Sequence, residues 1–243
     1  DSWYFITADY AFGHQLQDDT TALIKSAGGK VLGASIYPFP ETTDFSSLLT
    51  QARSSGAKVL GLANGGADTV NCVKQAAEFG VNQQMKIAAL MAYIGDVHAI
   101  GLGVAQGLLL TETFYWDLNE RTRAWTRRVV QNTPNNWPNM IHAGTYAATL
   151  HYLKTVGDMG AAAAKMDGVA TVNRMKAMPF EDDCFGSGKI REDGRVMVTP
   201  YLFQVKKPSE SNAAWDLYKL RTTMPAETAF RPLAEGHCPF LKL

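Results

Sequence analysis

The sequence predicts an α/β fold, in which a parallel-sheet lobe has helices on both faces and is followed by the helices of a second lobe. In the first half of the 243 residues, short apolar segments alternate regularly with segments of helical periodicity. Strands that are apolar on both faces are typical of a parallel sheet covered on each side. After residue 118 the alternation stops, and three helical segments follow one another without a strand between them.

Five strands are predicted in the first half, and glycine and proline mark the turns between them. The predicted strands are 3–7, 30–37, 59–63, 85–91 and 107–114, and the predicted helices are 13–27, 44–54, 68–79 and 95–100. Gly28-Gly29 and Gly80 end two of these helices, because glycine readily adopts the backbone conformation that follows a helix. Pro38-Phe39-Pro40 forces an extended turn, and Asp44 is the expected N-cap of the second helix.

The second half is predicted to hold helices at 119–132, 140–156 and 168–178. The middle one carries Ile141, Tyr146, Leu150 and Leu153 at helical spacing, so it has an apolar stripe to bury. The predicted sheet already has its covering helices. The three helices therefore either pack on one another as a small bundle, or belong to a second sheet held in an N-terminal segment that this chain lacks.

The last part of the chain has the composition of turns and short strands. Asp193-Gly194 is a hairpin signal, and it lies between predicted strands at 188–191 and 195–205. A short helix is predicted near 215–220, followed by an irregular tail.

Composition and motifs exclude several classes of protein. Lys plus Arg and Asp plus Glu both total 23, whereas nucleic-acid binders normally carry a basic excess, so we expect no nucleic-acid partner. The apolar stretches, such as that around 105–110, are far too short to cross a bilayer. The five histidines show no metal-ligand spacing, and no nucleophile or acid–base pair is evident. We therefore expect no metal, no cofactor and no catalytic residue.

The three cysteines, Cys72, Cys184 and Cys238, contain no C-x-x-C pair, which argues against a structural zinc site or a thioredoxin-type motif. One disulfide with one thiol left over would suit an exported protein, and Cys184 with Cys238 is the candidate pair. Three reduced thiols is the alternative.

Ligands of open α/β sheets bind where the strands end and the following helices begin, and the turn after the first predicted strand is the first candidate. Asp9 is well placed to cap the following helix, while Tyr10 and Phe12 lie near the mouth of the sheet. Two rings on a polar turn expose apolar surface unless a ligand or an apposed lobe covers them. Ordinary packing against the neighbouring loop is the alternative.

The turns after the third and fourth strands are the other two candidates. Gly65 and Gly66 let the backbone approach a ligand closely, and the amide of Asn64 offers both a donor and an acceptor. A tight turn with Asp68 as helix N-cap is the alternative for this segment. Met91 and Tyr93 end the fourth strand, and Met91 fits a core as well as it fits a pocket.

Collinear segments along the chain resemble the type I periplasmic binding proteins, the group that includes branched-chain amino-acid receptors. The resemblance is carried by FITADYAFG at 5–13, DFSSLL at 44–49, KQAAEFG at 74–80, FYWD at 114–117 and DGR at 193–195. The closing WDLY at 215–218 and CP at 238–239 resemble the branch that serves aromatic and lignin-derived acids.

This resemblance implies a two-lobed protein that closes by a hinge over a ligand held between the lobes. It assigns 1–113 to the ligand-binding lobe, 114–180 to the crossing and the helices of the other lobe, and 181–243 to the return segment, hairpin and tail. It also implies an N-terminal segment that this chain lacks. The implied role is the solute-binding component of an ABC importer in the Gram-negative periplasm, with the importer's membrane subunits as partners.

The resemblance also implies ligand contacts. Phe12 matches an aromatic residue that the amino-acid receptors place against their ligand, and Asn64, Gly65 and Gly66 match the loop after the third strand. The position around Leu90-Met91 is where those receptors hold an acidic residue for the ligand's ammonium group, and here it is apolar. An ammonium ion would lack its partner here, so an aromatic carboxylate is favoured.

Tyr10, Phe12, Tyr93 and Tyr115 are the rings that are expected to sandwich such a ligand. Three other functions stay open: a branched-chain amino-acid binder, the sensory ligand-binding domain of a receptor or regulator, and an α/β enzyme whose catalytic groups are not evident.

Overall fold

The computed structural model describes residues 1–133, 135–239 and 241, which form two compact units. The first unit comprises Asp1–Thr111 and Leu202–Arg221, and the second comprises Glu112–Tyr201 and Thr222–Leu243. This division differs from the predicted ranges at 181–201 and 222–243, which group with the second unit. In the described part of the chain, every helix is too short or too polar to span a membrane.

The first unit contains strands and helices that alternate along the chain. They are β1 (Ser2–Ala8), α1 (Ala11–Ser26), β2 (Lys30–Tyr37), α2 (Ser46–Ser54), β3 (Val59–Ala63), α3 (Ala67–Glu78), β4 (Lys86–Ala89), α4 (Ile94–Ile100), α5 (Leu102–Ala105), β5 (Leu109–Glu112), β9 (Tyr201–Val205) and β10 (Tyr218–Thr223). The second unit contains α6 (Glu120–Val129), α7 (Met140–Met159), α8 (Ala161–Met166), α9 (Gly168–Ala177), β6 (Phe180–Asp182), β7 (Gly186–Ile190), β8 (Val196–Met197) and α10 (Ala226–Ala229).

The seven strands of the main sheet lie in the order β10-β9-β5-β4-β3-β1-β2, and β1 to β5 pair in parallel. Every residue of β3 is buried, as expected for a strand covered on both faces. Gly61 of β3 is required by close packing, because the ring of Phe5 lies 2.6 Å from where a Cβ would be. The predicted parallel sheet with covering helices is confirmed.

The C-terminal strands differ from the sequence prediction. The predicted second hairpin strand is two strands, β8 and β9, because Pro200 lacks the N–H that a continuous ladder needs. β8 pairs with β7, whereas β9 joins the main sheet. The helix predicted near 215–220 is wrong, since Tyr218 begins β10 and its ring stacks on Phe203 of β9 at 5.2 Å.

Three predicted helix caps are corrected by the structure. The side chain of Asp44 accepts a hydrogen bond from the N–H of Ser46 at 2.9 Å, but Phe45 is the N-cap of α2. The N-cap of α1 is Tyr10 and that of α3 is Gly66. Asp9 therefore lies one residue before the N-cap of α1, and Asp68 lies two residues after that of α3. Asp9 bonds His14 instead, and Asp68 bonds Tyr37.

In the second unit α7, α8 and α9 pack on one another, and α7 and α9 also pack on the small antiparallel sheet β6-β7-β8. Its buried core contains Phe114, Trp125, Ala143 and Cys184. The predicted apolar stripe lies on one face of α7, where its four residues line a groove of about 490 Å³ with Trp125. This face is open, because Ile141 and Leu153 are more than half exposed.

The candidate disulfide is not formed in the structure, where all three cysteines are free thiols. Cys184 is buried in the core of the second unit, with its Sγ 3.6 Å from the carbonyl oxygen of Ala143. Burial raises the pKa of this thiol, which keeps it protonated. Cys238 is half-buried in the C-terminal tail.

Candidate functional site

The candidate site lies at the carboxyl ends of β1 and β3, the topological switch point of the main sheet. The chain runs from β1 to β2 on one side and then crosses to β3 on the other side of β1. Open α/β sheets bind ligands in the crevice that such a reversal creates. Gly13 shows how closely the two strand ends meet, since an added Cβ would overlap the carbonyl oxygen of Ala8 and approach that of Ala63 to 3.1 Å.

Three aromatic side chains form a group at this edge of the sheet, which we call the aromatic group: Tyr10, Phe12 and Phe39. The ring of Tyr10 stacks on that of Phe39 with centroids 4.5 Å apart and planes 16° apart. The ring of Phe12 lies 5.8 Å from that of Tyr10. Tyr10 is 37% exposed and Phe39 is 42% exposed. Phe39 was not predicted as a site residue, because the prolines on either side of it indicated only a turn.

The charged residues beside the aromatic group bind each other. The Nε2 of His14 lies 2.8 Å from an oxygen of Asp9, and both side chains are exposed. The carboxylate of Asp9 therefore has a partner one turn along α1 and does not cap the helix.

The loop after β3 places its polar side chain in the interior. Asn64 has no exposed surface, and its Oδ1 accepts a hydrogen bond from the hydroxyl of Thr69 at 2.7 Å. The oxygen of this side chain thus supports the start of α3, while its Nδ2 is buried without a hydrogen-bond partner among the described residues. A direct ligand contact by Asn64 stays a prediction. Gly65 is half-buried and Gly66 is exposed, with Gly66 at φ 60° in the region that favours glycine.

A buried hydrogen bond fixes α3 beneath this loop. The hydroxyl of Tyr37 donates to Asp68 at 2.7 Å, and both residues are buried. Burial, and then the bond to Asp68, raise the pKa of Tyr37 far above its ordinary value. The Tyr37 hydroxyl therefore remains a donor across the physiological range and holds the first turn of α3 against β2.

The turn after β4 packs against the loop after β3. The Cε of Met91 lies 2.5 Å from where a Cβ on Gly65 would be, so the thioether occupies the space that a side chain there would need. Tyr93 is half-buried, and its backbone N–H donates to Asp96 at 2.9 Å. Burial raises the pKa of Asp96. The third candidate turn is thus an apolar and aromatic wall next to Gly65.

Seven of the eight predicted contacts belong to the first unit and lie at the carboxyl ends of β1, β3 and β4. The eighth, Tyr115, belongs to the second unit, where its ring is buried at 4% exposure and lies edge-on to Trp116 at 5.9 Å. A ligand contact by Tyr115 would need that ring to leave its packing.

Cavities elsewhere in the described residues do not involve the predicted contacts. One of about 530 Å³ lies at the amino edge of the main sheet, with Lys58, Lys86 and Gln204 in its wall. Another, of about 380 Å³, lies in the second unit and is lined mainly by apolar side chains of α7, α9 and the small sheet. His151 in its wall bonds the carbonyl oxygen of Met175 at 2.9 Å.

The chain is similar to one known protein family and to several solved structures. A family model described as periplasmic binding protein matches residues 1–212. No curated protein matches the chain. A periplasmic binding protein from Burkholderia mallei is 43% identical with a TM-score of 0.88, over 97% of this chain and 61% of its own.

Two further solved structures are similar. A branched-chain amino-acid ABC transporter periplasmic ligand-binding protein from Burkholderia xenovorans is 34% identical with a TM-score of 0.84, over 97% of this chain and 62% of its own. An ABC transporter solute-binding protein from Rhodopseudomonas palustris was solved with p-hydroxybenzoic acid. It is 19% identical with a TM-score of 0.79, over 93% of this chain and 60% of its own. The last match shows the fold alone. The chain thus spans about three fifths of the length of these structures.

Proposed function

The chain belongs to the periplasmic binding protein family, and from this membership we propose that the full protein captures a small aromatic carboxylate in the periplasm for an ABC importer. In this proposal the protein binds without catalysing a reaction, and the importer's membrane subunits recognise its liganded form. A ligand can favour that form only through contacts that are stronger there than in the free protein.

The observation that carries the proposed ligand class is the aromatic group at the switch point, together with the apolar side chain of Met91. Partly exposed aromatic rings suit a flat aromatic ligand. The two nearby carboxylates have partners within the first unit, Asp9 with His14 and Asp96 with the N–H of Tyr93. One protein of similar fold, 19% identical to this chain, was solved with p-hydroxybenzoic acid, which supports this class.

The apolar surface of the second unit supports the proposal that the full protein is longer than this chain. Val169 is 73% exposed and Val172 is 48% exposed, and Val172 lines the apolar cavity of about 380 Å³. Such surfaces are normally covered in a soluble protein. We propose that a segment of the same protein outside this chain covers them.

A thermal-shift series on the full-length protein tests the proposed ligand class. We expect 4-hydroxybenzoate and 3,4-dihydroxybenzoate to raise the Tm, because a ligand at one hundred times its Kd stabilises the folded state by about 2.7 kcal/mol. Leucine and valine should leave the Tm unchanged. Stabilisation by leucine or valine, with none by any aromatic acid, would contradict the proposal and favour an amino-acid receptor.

Replacing Met91 tests whether the apolar wall selects a carboxylate. We expect Met91→Glu to weaken 4-hydroxybenzoate binding by about tenfold or more, because like charges brought together at a binding surface cost several kcal/mol. Met91→Gln is the matched control, because glutamine has the shape of glutamate without its charge. We expect it to reduce the affinity for 4-hydroxybenzoate by less than about threefold, since it brings no like charge to the surface. Titration calorimetry measures both affinities. Equal losses of affinity for the two variants would show that the shape of the side chain at position 91, and not its charge, determines binding.

A sensory ligand-binding domain would share this fold and this site. The discriminating observation is the partner of the liganded full-length protein. Stimulated uptake of the ligand by reconstituted importer subunits supports the transport role, and binding to a signalling protein without uptake contradicts it.

A further inference from the structure

Phe39 is an exposed ring held in place by a stiff turn. It lies between Pro38 and Pro40 directly after β2, and proline restricts both its own φ and the conformation of the residue before it. Thr42 braces the turn, since its hydroxyl donates to the carbonyl oxygen of Pro38 at 2.8 Å. The turn therefore holds the side chain of Phe39 in a position where it is 42% exposed.

Other rings in the first unit show how a structural aromatic pair is buried. Tyr37 and Phe45 meet edge-on at 5.0 Å and are 2% and 0% exposed. Phe39 and Tyr10 instead stack in parallel at 4.5 Å, with more than a third of each side chain open to solvent. No described residue bonds the hydroxyl of Tyr10. The exposed pair therefore lies outside the core and next to the switch point.

We propose that Phe39 is a specificity-determining residue, which together with Tyr10 forms an aromatic platform for the ring of the ligand. This inference rests on the proposed function, because it assigns a further contact in the same site. An aromatic ring recognises another through the geometry of its charge distribution as well as through apolar area. A saturated ring of the same size offers only the apolar area. Phe39 therefore distinguishes aromatic acids from their saturated counterparts.

The test compares benzoate with cyclohexanecarboxylate, which carries the same carboxylate on a saturated ring. Titration calorimetry is performed on the full-length protein, on Phe39→Ala and on the matched control Phe79→Ala. Phe79 is 44% exposed at the end of α3, away from the carboxyl edge. We expect Phe39→Ala to weaken benzoate binding about threefold to tenfold and cyclohexanecarboxylate binding less than about twofold. Phe79→Ala should change neither affinity.

The outcomes separate this inference from the function on which it rests. If the unmodified protein binds no aromatic acid, the proposed function fails. If it binds benzoate and Phe39→Ala binds it equally well, the platform is wrong and the function stands. An equal loss for both acids would overturn the specificity role. Should Phe39→Ala not fold, Phe39→Leu supplies the same comparison, since leucine keeps an apolar contact without a ring.

Discussion

Gly13→Ala is expected to destabilise the first unit by about 3 kcal/mol, because the added methyl group would overlap backbone atoms. Its Cβ would lie 2.2 Å from the carbonyl oxygen of Ala8 and 3.1 Å from that of Ala63. Backbone oxygens cannot rotate away as a side chain would, so α1 has to move away from the ends of β1 and β3. We expect the apparent Tm to fall by roughly 6–12 °C.

The same substitution should impair ligand binding, because the displaced helix carries Phe12 and follows Tyr10 at the site. We expect at least about a tenfold loss of affinity for the aromatic acid, equivalent to about 1.4 kcal/mol. Gly103→Ala is the matched control in the same unit. An added Cβ there meets nothing within 4 Å, so it should be neutral or stabilise by up to about 1 kcal/mol. A Tm for Gly13→Ala equal to that of this control would contradict the packing described at the switch point.

Trp125→Ala is expected to destabilise the second unit by about 3 to 5 kcal/mol, as removal of a fully buried tryptophan does. The side chain is 1% exposed, and its ring lies 5.1 Å from that of Phe114 and 5.4 Å from that of Tyr146. Denaturant unfolding of the full-length protein, followed by the fluorescence of the remaining tryptophans, measures the loss. The transition should shift to lower denaturant without a change of slope.

Trp125→Phe distinguishes the apolar packing of the ring from its N–H group. The Nε1 of Trp125 is buried and no acceptor among the described residues bonds it, and an unsatisfied buried donor costs about 1 to 3 kcal/mol. Phenylalanine removes that donor along with some volume, so the two effects oppose each other. We expect a loss of less than about 1.5 kcal/mol. A loss as large as that of alanine would show that the N–H finds a partner in the full protein.

The strands of the first unit could be predicted because their signals are local. The apolar segments at β1 to β5 lie between glycine and proline signals, and the central strand β3 is buried along its whole length. β10 could not be predicted in the same way. Tyr218 is buried with its ring stacked on Phe203 of β9, and the carboxylate of Asp216 accepts a hydrogen bond from Lys206 at 2.5 Å. These contacts come from residues outside the segment, so no periodicity within the segment itself indicates a strand.

The candidate site could be located from the sequence, but the role of each side chain could not. The ends of β1, β3 and β4 follow from the strand pattern, which brought Tyr10, Phe12 and Met91 to the site. Asn64 turns inward because Thr69 bonds it five residues later, and an amide at a strand end has no sequence signal for that choice. Phe39 was missed because its stacking partner, Tyr10, is 29 positions away in the turn that follows another strand.

The first unit is built from two segments that are far apart along the chain, which affects how the protein folds during synthesis. Residues 112–201 are inserted between β5 and β9, two neighbours in one sheet. During synthesis β5 therefore leaves the ribosome long before the strand that covers its edge. An uncovered strand edge is a template for wrong pairing with other chains, and contacts between distant segments form slowly. The nascent protein is thus most vulnerable to aggregation in the interval before residue 205 emerges.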